Sequence, residues 1–155
     1  MWNRVVFVLS LLGALVSAYL WRMHAIGADV PCGGSGGCDA VAASPYSRFP
    51  VGSGIPVAAY GAVGYTLLAL LALGRTLTAR PGRHRLLLAL IVLGAGAGTL
   101  ASLYLTYLEL WVIRAVCRWC LASQFLIAAV FVASLADWRR VRTTPSPIHE
   151  VGAHP

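Results

Sequence analysis

Four uncharged apolar runs decide what this chain can fold into. Residues 5–21, 56–73, 86–108 and 119–136 carry no charged side chain, and each is close to the roughly 20 helical residues that cross the hydrocarbon of a bilayer. A backbone inside lipid must satisfy its own hydrogen bonds, so runs of this length become helices. With 59% hydrophobic and 11% charged residues, the rest of the chain offers little for a soluble domain. The expected fold is all-α: an integral membrane four-helix bundle over residues 1–140, followed over 141–155 by a polar, Pro-containing tail expected to be disordered. The first run is longer than the apolar part of a secretory signal, and "VSAYLWRMH" offers no small-residue cleavage site, so it reads as a span.

The net charge of +7 would suit nucleic acid if it formed a patch, but all twelve basic residues are arginines clustered at the ends of the apolar runs. That is the pattern of a topology signal, and no nucleic-acid partner is expected. Four spans leave both termini on one side. That side holds Arg4, Arg75, Arg80, Arg83, Arg85, Arg139, Arg140 and Arg142, against Arg22, Arg48, Arg114 and Arg118 on the other. The excess puts the termini in the cytoplasm and Cys32, Cys38, Cys117 and Cys120, every cysteine of the chain, in the oxidising compartment.

The connections differ in kind. "GRTLTARPGRHR" is a short basic turn. The segment 22–55 is long, Pro-containing and Gly-rich, and loops of that length are usually functional or disordered. Within it "CDAVAAS" can form a short helix capped by Asp39 and ended before Pro45, a cap over the bundle that lays Val41 on the membrane surface.

Cys117 and Cys120 stand three apart, which on a helix puts them on one face about a turn apart. They open the fourth run between Arg114 and Arg118, where free N–H groups, the helix dipole and positive charge favour a thiolate. Cys32 and Cys38 enclose "GGSGG", a linker that lets two sulfurs meet and part again. Closing so small a ring stabilises a fold by only about 2 kcal/mol, so a mobile shuttle disulfide accounts for the pair better than a staple. Zinc held by four cysteines is the metal alternative, weakened by the five-residue spacing and the oxidising side. Bracing of the outer loops in a non-catalytic four-span protein is the structural alternative. Two disulfide-capable pairs on one face imply a relay, and with no haem or nucleotide motif in the chain the natural acceptor is a lipid-soluble quinone.

At this point "CGGSGGCDAVAASPYSRFPVGSGIPVAAYG" followed by "CRWCLASQ" resembles the vitamin K epoxide reductase family, in its bacterial disulfide-forming branch. The resemblance runs over about residues 5–136. It implies a membrane oxidoreductase of the bacterial cytoplasmic membrane, with Cys32 and Cys38 as the shuttle pair and Cys117 and Cys120 as the active-site pair. By the same resemblance Cys38 exchanges with Cys117, and Cys120 lies beside the quinone ring. Ser44, Tyr60 and Gln124 are the candidate quinone contacts, and the acceptor is menaquinone, ubiquinone or a vitamin K type quinone. The chain departs from the animal enzymes, having Val57 and Gln124 where they carry an asparagine and a tyrosine. Many bacterial relatives carry a fused thioredoxin-like domain; the short tail here leads us to expect a separate thioredoxin-fold periplasmic thiol oxidase as partner.

Blander readings stand beside these. Ser44 precedes Pro45 and can close a turn, and Gln124 can bond another helix. Trp21, Tyr104, Tyr107, Trp111 and Trp138 suit interfacial belts, and Gly94, Gly96 and Gly98 suit close helix packing. His24 and Glu109 are the chain's candidate proton carriers near the membrane edge.

Overall fold

The computed structural model describes residues 1–28, 30, 37–51 and 54–143. Four long helices dominate it: α1 (Trp2–Ile26), α3 (Val57–Leu77), α4 (Pro81–Tyr107) and α5 (Arg118–Thr143), with α2 (Gly37–Ala43) in the long connection. Each of the four overruns the apolar run that announced it. Arginine has a long apolar stem and can lie inside a helix end while its head reaches water, so charge marks the membrane boundary rather than the helix boundary. Helix α5 runs through Thr143, taking residues 141–143 into the helix; the rest of the expected tail lies outside the described residues.

Termini follow local chemistry. Gly27, at φ 64°, closes α1 in the left-handed conformation that glycine adopts without penalty, its N–H bonding to the Met23 carbonyl. Pro81 opens α4, where its fixed φ helps and its missing N–H costs nothing. At the other end α4 passes directly into a π-helical turn, Leu108–Ile113. Together they form one continuous 33-residue helical segment, Pro81–Ile113, about 50 Å long at 1.5 Å per residue.

Helix α1 packs on α3 and α5, and α4 packs on the same two. The four close into a ring in which chain neighbours are antiparallel, an up-down-up-down bundle. Its core joins Val6, Tyr65, Leu68, Ala72, Ile91, Ala95, Ile127, Val130 and Ala133. Close approach depends on the glycines of α4: a Cβ on Gly96 would stand 3.1 Å from Phe131, and one on Gly98 would stand 3.0 Å from Ile127. Outside, each long helix turns large apolar side chains away from the core, such as Leu15 (68% exposed), Leu70 (57%), Leu93 (69%) and Phe125 (74%). In water such a surface would aggregate; in lipid it is required. The chain is a multi-pass membrane protein.

The ends of the bundle are built differently. At the end that holds the N-terminus, Arg75 pairs with Asp137 and also donates to Asn3 Oδ1 at 3.3 Å, while Asn3 donates to the Ala72 carbonyl at 2.9 Å. At the opposite end, α2, the 3-10 turn Pro45–Ser47 and a two-rung antiparallel ribbon of β1 (Arg48–Phe49) and β2 (Ile55–Pro56) cover the bundle. Two expectations about this cap are corrected. Asp39 lies inside α2 rather than capping it, and its carboxylate accepts the Val30 N–H at 3.1 Å, tying the loop to the helix. Val41 packs inward, against the cluster of Leu20, Val30, Cys38 and Cys117, not onto the membrane surface.

Candidate active site

The turn from α4 into α5 positions the CxxC pair. The π-helical stretch carries one extra residue per hydrogen-bonded turn, and it ends at Arg114, whose φ of 55° and ψ of 33° reverse the chain in the left-handed region. Both Arg114 and Ala115 donate to the Glu109 carbonyl. The chain thus folds back over the π turn and delivers Cys117 to the start of α5. Cys117 occupies the N-cap position there: its carbonyl accepts the Leu121 N–H at 3.0 Å, and its sulfur accepts the Cys120 N–H at 3.3 Å. A sulfur stands where a serine or aspartate oxygen usually satisfies the free amides of a helix start.

The pair was expected to owe its reactivity to the free N–H groups and dipole of the helix start, with Arg114 and Arg118 adding positive charge; both arginines are exposed. What acts on Cys117 lies closer. The Cys120 thiol donates to its sulfur, and this holds the Cys117 thiol below the ordinary cysteine range; burial opposes the shift, and the Cys120 and Trp119 amides add to it. Cys117 is 3% exposed, and Cys120 lies one turn further along α5 and is partly buried.

Cys38 joins Cys117 in one buried cluster. Gly37 makes that approach possible, since a Cβ there would lie 2.5 Å from the Val116 carbonyl oxygen. Cys38 is disulfide-bonded, while Cys117 and Cys120 are free thiols. Cys32, the other member of the expected shuttle pair, lies outside the described residues.

Beneath the cap a cavity of ≈ 520 Å³ extends into the bundle. Cys38, Ser44, Tyr60, Cys117, Cys120 and Gln124 all line it, so every described candidate comes to one chamber. Their polar groups are partly engaged already. The Ser44 hydroxyl donates to the Val41 carbonyl at 2.8 Å, closing the turn before Pro45. The Tyr60 hydroxyl donates to the Phe49 carbonyl at 3.3 Å, and its ring meets Phe49 edge-on at 6.3 Å. Gln124 accepts from Thr106 across α4 and α5 through its carbonyl oxygen, which leaves the amide N–H groups without a partner in that bond. Elsewhere the lining is mainly apolar, and two of its residues, Leu67 and Leu90, are 55% and 43% exposed on the lipid side of α3 and α4.

Two residues that the cysteine pattern did not announce, Tyr65 and Thr106, join the site with Glu109, the candidate proton carrier. Tyr65 donates to the Ser123 carbonyl one turn beyond CxxC, fixing the start of α5 against α3. Thr106 holds Gln124. Glu109, 4% exposed, accepts the Cys117 N–H at 3.2 Å and lies beside the Cys120 thiol. His24, by contrast, spends Nδ1 on the Leu20 carbonyl at 2.8 Å while lining the cavity. Residues 4–135 match the model of the vitamin K epoxide reductase family, a stretch that reaches into all four long helices and includes all four cysteines.

Proposed function

The chain belongs to the vitamin K epoxide reductase family, and from that premise we propose that this membrane oxidoreductase makes disulfides, reoxidising a thioredoxin-fold thiol protein on the outer face and reducing a quinone. One observation carries the reading. A disulfide-bonded Cys38 and a free Cys117–Cys120 pair meet at the wall of a mostly apolar cavity large enough for a quinone ring. Its apolar lining, part of which also faces lipid, suits a ligand arriving from the bilayer.

The partner's dithiol attacks the Cys32–Cys38 disulfide; the partner leaves oxidised and the shuttle pair is reduced. The Cys38 thiolate next attacks Cys117 in the inner disulfide, and Cys32 closes on Cys38, leaving the inner pair as a dithiol. Two electrons and two protons then pass from Cys117 and Cys120 to the quinone. Bound beside Cys120, a quinone would supply the two-electron sink. The side chains supply the rest: Cys117 is a thiol held below the ordinary cysteine range, Cys120 faces the cavity, and Ser44, Tyr60 and Gln124 line the same cavity and would hold the quinone. Menaquinone, ubiquinone and vitamin K type quinones share the ring chemistry, and turnover with each separates them. Arginine distribution puts this end outside a bacterial cytoplasmic membrane, with the termini in the cytoplasm.

Purified protein given a reduced thioredoxin-fold protein and a soluble quinone should consume both in step. Unchanged quinone reduction after replacing Cys117 and Cys120 with serine overturns the assignment. Cys38→Ser separates the two stages: it should abolish oxidation of the protein partner yet leave quinone reduction driven by dithiothreitol, which reaches Cys117 without the shuttle. Orientation has its own test, since a membrane-impermeant maleimide should label reduced Cys32 in intact cells; labelling only after rupture reverses the topology.

A further inference from the structure

Among the described residues two acidic side chains are largely withdrawn from water within the bundle, and only one of them is matched by a cation. Asp137 is paired with Arg75. Glu109 has no ion-pair partner among the described residues; it faces the Cys117 amide and the Cys120 thiol. Of the elements packed on the π turn, α2 brings Cys38, which is disulfide-bonded and does not titrate, and α4 brings Tyr107, whose ring is exposed and stacked on Trp111 at 5.4 Å. Arg114, where the π turn ends, is exposed. The titratable groups set directly against Glu109 are the two thiols of the inner pair; Asp39 of α2 is exposed, and His24 lines the same cavity with Nδ1 on the Leu20 carbonyl.

The position fits a need that the relay leaves open. Cys120 sits against the Cys117 sulfur, which accepts its N–H at 3.3 Å, and beside the Glu109 carboxylate, which accepts the Cys117 N–H at 3.2 Å. Its thiol proton must leave before its sulfur can join Cys117, and the carboxylate beside the pair is that of Glu109. An ionisable side chain at membrane depth is rare without a role, and π turns are frequent where a helix has been reshaped around a functional group.

We infer that Glu109 is the proton acceptor for Cys120, taking the thiol proton as the inner disulfide forms and passing it on toward the quinone; the second half of this statement rests on the proposed quinone reduction. The balance is complete. The Cys120 S–H bond breaks, and its proton goes to a Glu109 carboxylate oxygen. The S–S bond to the Cys117 thiolate forms as the electron pair moves to the acceptor. With a quinone as acceptor, one proton of the quinol comes from Glu109 and the second from the outer aqueous face, which took up the Cys117 proton when that thiol ionised.

Glu109→Gln is the discriminating variant, because the amide oxygen still accepts the Cys117 N–H while the side chain no longer takes a proton. Two single-turnover measurements on dithiothreitol-reduced protein use it. In the first, diamide replaces the quinone: it forms an adduct on Cys117, and the attack of Cys120 on Cys117 expels the reduced hydrazine, a closure followed by acid quench and alkylation mass. In the second, a soluble quinone is the oxidant. Both closures should slow by about 100-fold, the usual worth of a positioned general base, and both should become steeply dependent on pH as hydroxide replaces the carboxylate. Glu109→Asp should recover part of the rate. Diamide closure within threefold of wild type, with an unaltered pH profile, overturns the role of Glu109. If the wild type closes with diamide but never with any quinone, the quinone reading fails while the Glu109 assignment is still judged by the diamide arm.

Discussion

Both ends of the bundle bury an acid between helices, and the two are treated in opposite ways. At the end with the termini, Asp137 and Arg75 form an ion pair whose side chains are 15% and 4% exposed, braced by Asn3. At the cysteine end, Glu109 is equally withdrawn from water but is surrounded by sulfur and a backbone amide. A guanidinium fixes charge and position, so the first end is a joint. Thiols fix neither, so the second end is free to change state. The lesson is that burial alone does not separate structural from reactive acids in this protein; the partner does.

That contrast can be broken at either end. The largest effect expected is at the reactive end, where Cys120→Ser should abolish turnover with either a protein donor or dithiothreitol while leaving the thermal transition of the purified protein in place. Measurable quinone reduction in that variant would remove Cys120 from the electron path. At the other end, Arg75→Met leaves Asp137 buried without its partner. It should cost about 3–5 kcal/mol of stability, read as unfolding in detergent, with turnover per folded molecule unchanged. Adding Asp137→Leu should restore most of the loss, and failure to do so would mean that the pair does more than join helices.

The next effect is smaller and tests how closely the cap is set. Gly37→Val forces a side chain against the Val116 carbonyl, where even a Cβ would stand at 2.5 Å. Moving Cys38 away from Cys117 should slow partner-driven turnover by roughly tenfold to a hundredfold, as misplacement of a reacting group commonly does. Turnover driven by dithiothreitol should stay within about twofold, since general packing damage would lower both.

The smallest effect concerns pH. Because the Cys120 thiol is the main cause of the lowered Cys117 pKa, the thiolate fraction of reduced Cys117 reaches its plateau at lower pH than that of a free cysteine. Alkylation by iodoacetamide should therefore remain fast as pH falls below the usual thiol range. Cys120→Ala removes the donor, shifts the profile of Cys117 to higher pH and should slow its alkylation at pH 7 several-fold. An unshifted profile would assign the effect to the helix amides instead.

Periodicity and charge were enough to read the four helices and the cysteine end from the sequence, because a membrane forces apolar runs into helices and arginines mark their edges. What escaped was tertiary. Arg75 reads as one more topology arginine in a basic turn, and nothing local says that it turns inward to Asp137, 62 residues away. Asp39 has the composition of a cap but spends its carboxylate on Val30, since a backbone amide across the loop competes with the helix's own amides. "LELWVI" has no feature that separates a π turn from a continuing α-helix, so the reversal at Arg114 was invisible. Glu109 did leave a signal: it is an acid directly after an apolar run, eight residues before Cys117. Ser44 and Gln124 line the chamber and also make the bland bonds that their chemistry allows.

The 33-residue segment Pro81–Ile113 has a consequence for the lipid. Its uncharged run, residues 86–108, is about 35 Å long and exceeds the roughly 30 Å of a typical hydrocarbon layer, and an apolar stretch too long for its bilayer adjusts by tilting or by thickening the lipid around it. The π turn and the CxxC pair ride at the outer tip of that segment, so hydrophobic mismatch sets their depth. In a thin bilayer the thiols stand among the headgroups; in a thick one they sink toward the acyl chains, and a soluble thiol protein and an isoprenoid-tailed ring approach them from opposite sides of that boundary.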